Sequence, residues 1–359
     1  MTDGEEGRAP DEEEGADECG DGEHEQRTAR PPQNPREYVA SWSERDALDG
    51  SETRAWVLIL RTRGCSWARC SMCGYHGESA ASSEEDLLHQ FETALLRRRG
   101  ERVAKVYTSG SFLDEREVPS GLRRRLLSEL SRSFERVVVE SRPEFVTEEA
   151  VREAVAACPG LEVAMGLESA SPRVLSHSVR KGFLFTDFES KAAMVRRLGG
   201  RVRAYLLLKP PFLNENEALQ DTVASAVLAA PLCDTISINP VNIQRGTLVE
   251  QLWRRMIYRP PWLWSAAEAV LRAHKGVAGV TPKPRIVCAP TAAGRRRGAH
   301  NCGRCDEAVV AGLESYSLTG SPEGLERAFS SGCACLAEWR DALEAGAFPF
   351  ITYDALVPR

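Results

Sequence analysis

Three cysteines crowd into the run Arg63-Gly-Cys65-Ser-Trp-Ala-Arg-Cys70-Ser-Met-Cys73-Gly-Tyr75, spaced C-x4-C-x2-C. Three thiolates on one short loop can converge on a single metal centre. One fitting chemistry is a tetrahedral zinc site, which takes four protein ligands and would draw on His76 for the last. The other is a cubane iron–sulfur cluster. Such clusters normally use four thiolates, so three make sense only where one iron is left open to an outside ligand. Three unrelated buried cysteines are a poor account of a loop so rich in glycine and polar residues.

A second set lies far downstream. His300-Asn-Cys302-Gly-Arg-Cys305 is followed, after 27 intervening residues, by Cys333-Ala-Cys335. C-x2-C with a distant cysteine pair is a zinc signature, because a glycine-containing knuckle lets two thiolates face one ion. These four cysteines could close a tetrahedron without His300 or Cys288. An auxiliary iron–sulfur cluster and plain buried thiols are the alternatives. A structural zinc would add folding free energy to a segment with little core of its own. Cys19, Cys158 and Cys233 read as tail, helix and strand residues without ligand spacing. Cys288 reads as a structural thiol or an alternate ligand.

Positioning these groups falls to an alternating pattern that begins at Ala55. Apolar runs predict strands over 56–60, 103–107, 137–139, 161–167, 202–208 and 235–238. Helical patterns follow over 84–99, 122–131, 147–157, 171–176, 186–198 and 214–229, with Ser83 and Thr147 placed as N-caps. Such alternation indicates parallel βαβ units. The expected fold class is therefore α/β: a partial (β/α)6 TIM-like barrel over 52–249. A disordered acidic tail and linker, 1–51, precedes it. A cysteine-rich C-terminal extension, 250–359, holding the zinc candidates and a helix near 266–274, follows it. Every expected strand ends in polar, Gly or Pro residues: Arg61-Thr-Arg-Gly64, Thr108-Ser-Gly-Ser111, Glu140-Ser-Arg-Pro143, Glu168-Ser169, Lys209-Pro-Pro-Phe212 and Asn239-Pro-Val-Asn242. In parallel barrels that rim is where ligands bind, although loops of this kind are polar in any case.

Composition narrows the class of protein. The 359 residues suffice for two or three domains. No run approaches the roughly 18 apolar residues of a membrane helix. The acidic N-terminus is unlike a secretory leader, so a cytoplasmic location with reduced thiols is expected. Residues 1–25 carry twelve acids against Arg8, a local charge of −11 in a chain of −6, which leaves the remainder at +5. A mildly basic body suits a polyanion, with Arg123–Arg125, Arg254, Arg255 and Arg295–Arg297 as possible phosphate contacts. Arg123–Arg125 read more simply as a solvated helix face. The acidic tail also suits a saline cytoplasm.

Taken in register, these motifs resemble the radical S-adenosylmethionine superfamily. Its commonest first cysteine gap is three residues, and here it is four. Ser109-Gly110-Ser111-Phe112 sits where that superfamily has a glycine-rich loop contacting the methionine amino group. Glu140-Ser141-Arg142-Pro143 resembles an E-T/S-R-P segment of its tRNA-modifying members. Gly166-Leu167-Glu168-Ser169, with Val174-Leu175 and Arg180-Lys181-Gly182 behind it, resembles their G-L/V-E-S…VL…R/K-G pattern. The resemblance implies a 4Fe–4S cluster on Cys65, Cys70 and Cys73, with S-adenosylmethionine on the open iron. It implies a cofactor site lined by Tyr75, Gly110, Ser111, Glu140, Arg142, Glu168 and Ser169. There the carboxylates would pair an ammonium or hydroxyls, and Arg142 a carboxylate. A salt bridge between Glu140 and Arg142 across the barrel mouth is the plain alternative.

Further strings narrow the likeness. C-S-W-A-R-C-S-M-C-G-Y, K-P-P-F-L-N-E-N-E-A (209–218), N-P-V-N (239–242), R-P-P-W-L-W-S (259–265) and R-G-A-H-N-C-G-R-C-D (297–306) resemble the family of radical enzymes that partners archaeosine synthase. The likeness runs from about residue 55 to about 339. It implies a lyase-type enzyme acting on tRNA that bears a lysine-conjugated 7-deazaguanine in the D-loop. The partner would be the lysine-transferring synthase subunit, and a reductant protein would supply electrons. Cleavage of the lysine Cε–Nε bond would leave the nitrogen on the base as archaeosine. Lys209, Asn239, Asn242 and Gln244 become candidates to hold the amino-acid end of the adduct, and Arg295, Arg296 and Arg297 candidates for tRNA phosphates. The rival readings are another radical S-adenosylmethionine enzyme on tRNA or a small molecule, and a non-enzymatic protein with two zinc sites.

Overall fold

A computed structural model describes residues 33–344. The expected tail up to residue 32, Cys19 and the chain beyond 344 lie outside the described residues. The chain forms one eight-stranded sheet in the order β1 to β8. β1 (Ala40–Leu48) and β2 (Ser51–Ile59) are antiparallel, joined through Asp49 and Gly50 at φ 49° and 80°. Two left-handed residues make the turn that matches strand twist, and Asp-Gly is a preferred pair for it. From β2 onward every pairing is parallel: β3 (Val103–Tyr107), β4 (Arg136–Glu140), β5 (Leu161–Glu168), β6 (Arg201–Leu208), β7 (Thr235–Pro240) and β8 (Arg285–Val287).

Helices α1 (Glu84–Leu95), α2 (Ser120–Ser133), α3 (Glu148–Ala157), α4 (Phe185–Arg197) and α5 (Glu215–Ala229) fill the crossovers. Their starts are chemically marked. Ser83 with Asp86, and Asn214 with Glu217, form reciprocal caps, and Thr147 accepts from Ala150 N–H. Strands covered on both faces read as continuous apolar runs; Val137, Val138 and Val139 are fully buried. The barrel interior is partly ionic. Lys105 pairs with Glu44 (2.6 Å) and Asp46 (2.7 Å) from β1, and Arg203 with Glu162 (3.0 Å). The sheet is thus the expected partial barrel, with an added strand at each edge.

Three expectations change. The first ordered strand precedes Glu52, so that boundary falls inside the first hairpin. Its side chains Glu44 and Asp46 neutralise Lys105, which burial would otherwise penalise. The second is the separation at residue 250. After α6 (Leu248–Arg254) and α7 (Leu263–Gly276), β8 pairs with β7 (Thr235 opposite Arg285), and α7 packs on α5 within the same core. The extension therefore completes the barrel wall. Then α8 (Asp306–Thr319), α9 (Glu323–Phe329) and α10 (Cys335–Glu344) follow. The short helix expected over 171–176 is a π-helical turn, Val174–Val179. Among the described residues no helix is long and apolar enough to cross a membrane.

Candidate functional site

The loop after β2 carries Cys65, Cys70 and Cys73, and its neighbours hold it from several sides. Arg61 donates to the carbonyls of Glu37 (3.0 Å) and Glu78 (2.7 Å). Ser71 donates its hydroxyl to Ser178 O (2.6 Å) and its N–H to Val179 O (3.0 Å) in the π-turn. The Trp67 indole donates to Arg180 O (2.9 Å). Gly74 N–H donates to Gln244 Oε1 (2.6 Å), from the loop after β7. The three cysteines are half-buried. Burial raises the Cys70 thiol and pushes Cys73 up to about 12. A bound metal would take them as thiolates.

Tetrahedral zinc with Zn–S of about 2.3 Å needs sulfurs about 3.8 Å apart. Among the described residues, only Cys302, Cys305, Cys333 and Cys335 bring such ligand atoms within 4.8 Å of one another. Cys65, Cys70, Cys73 and the exposed His76 do not gather that closely. Three cysteines with no fourth ligand close by suit a cluster that leaves one iron open rather than a closed zinc site.

The next loops pack against the cysteine loop. A Cβ on Gly110 would collide with the Cys65 backbone and with Glu117, so only glycine permits this approach. Glu117 joins the two loops: it accepts from Thr62 Oγ1 (2.6 Å) and Ser111 N–H (2.6 Å), and burial raises its carboxyl to about 7. Sequence reasoning missed Glu117 and Thr62, because their contact spans 55 residues and no local motif encodes it.

Ser111 is fully buried, and its hydroxyl accepts from Arg142 N–H (3.1 Å). Arg142 pairs with Glu144 (2.5 Å), not Glu140. It also donates to Lys181 O (3.1 Å) and lies over Trp67 and Phe183. The alternative of a Glu140–Arg142 salt bridge is thereby set aside. Burial lifts the Glu140 carboxyl to about 7, with Tyr205 as its hydrogen-bond partner. Glu168 sits at a register shift in β5 and pairs with Lys181 (2.6 Å). Ser169 donates to Asp221 Oδ1 (2.8 Å). The Tyr75 ring is half-exposed, while burial of its hydroxyl, hydrogen-bonded with Gln244, raises its pKa.

Across the mouth, Lys209 stands at φ 65°, its Nζ 2.6 Å from Glu215 Oε2 and its carbonyl accepting from Tyr258 OH (2.6 Å). Asn239 Oδ1 accepts from Ser237 (3.0 Å), and Asn242 Oδ1 from Gln244 Nε2 (3.4 Å). Both amide groups of Gln244 are thus engaged, its oxygen by the cysteine loop. Arg297 is also engaged inside the protein, donating to Ile243 O (3.1 Å) and pairing with Glu250 (2.8 Å). The surface reading of that loop narrows to exposed Arg295 and Arg296, with Arg296 over Trp253. Of the earlier basic run, Arg123 is buried against Leu113 O and Val118 O, and Arg125 pairs with Glu92. Cys288, Cys158 and Cys233 are buried singly, apart from the four-cysteine group.

A parallel partial barrel thus carries a three-cysteine loop after its first parallel strand, with Gly-rich, E-S-R-P and E-S segments on successive strand ends, the arrangement that the sequence resemblance implies. No family model matches the chain. It is 39% identical over 340 residues to archaeosine synthase subunit beta of Methanosarcina acetivorans, covering 91% of this chain and 96% of that one. It is 37% identical over 292 residues to the protein of that name in Thermococcus kodakarensis, covering 77% and 89%. The chain belongs to the archaeosine synthase subunit beta family. Among solved structures, it is similar to a queuine lyase from Clostridium spiroforme bound to SAM and queuine (18% identity, TM-score 0.43, 60% of this chain and 90% of that one).

Proposed function

We propose that this protein completes archaeosine in tRNA by cleaving the lysine Cε–Nε bond of a lysine-conjugated 7-deazaguanine in the D-loop. The observation that carries the reading is the match to archaeosine synthase subunit beta over nearly the whole length of that relative. A subunit so named implies a second one, which we take to be the lysine-transferring synthase. The reaction would run in the cytoplasm, with a reductant protein supplying electrons.

Cys65, Cys70 and Cys73 would hold a 4Fe–4S cluster, and a single zinc ion would sit at Cys302, Cys305, Cys333 and Cys335. The cluster with S-adenosylmethionine supplies hydrogen abstraction from an unactivated carbon, which no side chain can achieve. The protein's part is to orient and exclude water. Glu117, Gln244 and the π-turn fix the cysteine loop. Gly110, Ser111, Glu140, Arg142, Glu168, Ser169 and Tyr75 form the rim against which S-adenosylmethionine would lie. Lys209, Asn239 and Asn242 face the amino-acid end of the adduct from the far side. Arg295 and Arg296 would meet the tRNA backbone. The division into tail, barrel and metal-bearing extension is kept, with the barrel beginning at β1 and sharing β8.

The test is nucleoside analysis of tRNA carrying the lysine adduct, after incubation with reconstituted protein, reductant and S-adenosylmethionine. Conversion of the adduct to archaeosine supports the reading. An adduct that stays intact while the protein consumes S-adenosylmethionine refutes the assigned bond.

A further inference from the structure

We propose that Cys302, Cys305, Cys333 and Cys335 hold one zinc ion whose task is to fix Lys209 at the mouth of the barrel. The sulfur separations are 3.9 Å for Cys302–Cys305 and 3.5 Å for Cys302–Cys333, Cys305–Cys335 and Cys333–Cys335. These match the edges of about 3.8 Å expected around one zinc. They are too short for an auxiliary cubane bound at separate corners. Four protein ligands leave no open position, so the ion is structural.

Neighbouring side chains carry the geometry inward. The Trp264 indole donates to Cys335 Sγ (3.3 Å), and Asn301 Nδ2 to Cys305 Sγ (3.4 Å). Asn301 Oδ1 in turn accepts from Trp264 N–H (3.2 Å), so both contacts bear on the first turn of α7. Hydrogen bonds of this kind orient metal ligands and are themselves held by them. From that turn Ser265 Oγ donates to Glu215 Oε1 (2.6 Å), while accepting from the indole of Trp339 on the cysteine-bearing α10 (2.8 Å). Trp262 N–H donates to the same Glu215 oxygen (2.8 Å). Glu215 Oε2 then faces Lys209 Nζ, with side-chain exposures of only 3% and 8%. Every link from sulfur to ammonium is a hydrogen bond, an ion pair or the backbone of α7. Removing the ion frees the two cysteine segments from each other and slackens the turn that anchors Glu215. That Lys209 meets substrate rests on the function proposed above; the metal and the relay do not.

The experiment uses the full chain and needs no substrate. Zinc and iron are measured in anaerobically purified wild type and Cys333→Ser, and hydrogen exchange is followed over residues 209–216. Expected are one zinc per wild-type chain, its loss in the variant, unchanged iron, and exchange about tenfold faster over 209–216. Ser265→Ala should keep the zinc and speed the same exchange, which tests the relay even if Cys333→Ser does not fold. Iron lost on Cys333→Ser, or wild type without zinc, overturns the metal assignment. Unchanged exchange in Ser265→Ala or in zinc-free protein overturns the positioning role.

Discussion

Lys181 Nζ stands 2.6 Å from Glu168 Oε1, with 9% and 10% of the two side chains exposed. Burial opposes the charge on Lys181, but the Glu168 carboxylate outweighs it and raises its pKa. The ion pair joins the end of β5 to the segment behind it, beside the cysteine loop. Lys181→Met strands the carboxylate and should cost about 3–5 kcal/mol in urea unfolding. Adding Glu168→Gln should recover most of the loss. A double variant as unstable as the single one would show that the pair is not the cause.

Gln244→Ala removes the acceptor of Gly74 N–H at 2.6 Å. The global cost should be modest, about 1–2 kcal/mol. The local effect should be larger, because the loop bearing Cys73 loses its tie to the segment after β7. Reconstituted protein should hold less iron and bleach faster in air, read from its visible absorbance. Wild-type iron content and bleaching rate would refute the tie.

Asp221 supports Ser169, and burial raises its carboxyl from 3.8 to about 6. Between those values the folded protein keeps a proton that the unfolded chain has lost, so stability falls as pH rises through the window and stays lower above it. Asp221→Asn removes that penalty and keeps the acceptor for Ser169. The variant should be more stable than wild type by about 1–2 kcal/mol near pH 7.5, with the gap closing below about pH 4. Thermal unfolding at both pH values checks this; an equal gap at both would contradict it.

Arg254, Arg255, Arg295 and Arg296 are exposed around half-buried Trp253. Replacing all four with Ala should weaken tRNA binding and flatten its salt dependence, by about one unit of log–log slope for each phosphate no longer neutralised. Arg297→Ala should instead destabilise the fold, because its guanidinium holds Ile243 O and Glu250. An unchanged salt slope in the fourfold variant would move the tRNA surface elsewhere.

The parallel core was legible because its strands are buried on both faces and its helices carry side-chain caps. The predicted run 103–107 coincides with β3, and Thr147 caps α3. β1 was missed because its residues are mostly polar and half-exposed. Asp49-Gly50 was the available signal for it. β8 is three residues long and set among prolines, too short for any period to show. At the site, cysteine spacing announced the group of Cys302, Cys305, Cys333 and Cys335. The ties that fix the loop of Cys65, Cys70 and Cys73 were invisible, since Thr62–Glu117 and Gly74–Gln244 join residues 55 and 170 apart in sequence. Gln244, a candidate through its place on the rim and the resemblance, and Arg297, a candidate phosphate contact in a basic loop, are each bonded within the protein, which only packing reveals.

Radical chemistry directed at a modified tRNA is tested most directly by quantifying 5′-deoxyadenosine. Cluster-loaded protein is given reductant and S-adenosylmethionine, with and without tRNA bearing the lysine adduct, beside Cys70→Ala. Strong stimulation by that tRNA is expected, with no product from the variant. 5′-Deoxyadenosine formation by Cys70→Ala, or its absence from wild type with an intact cluster and the adduct tRNA present, would contradict the proposed chemistry.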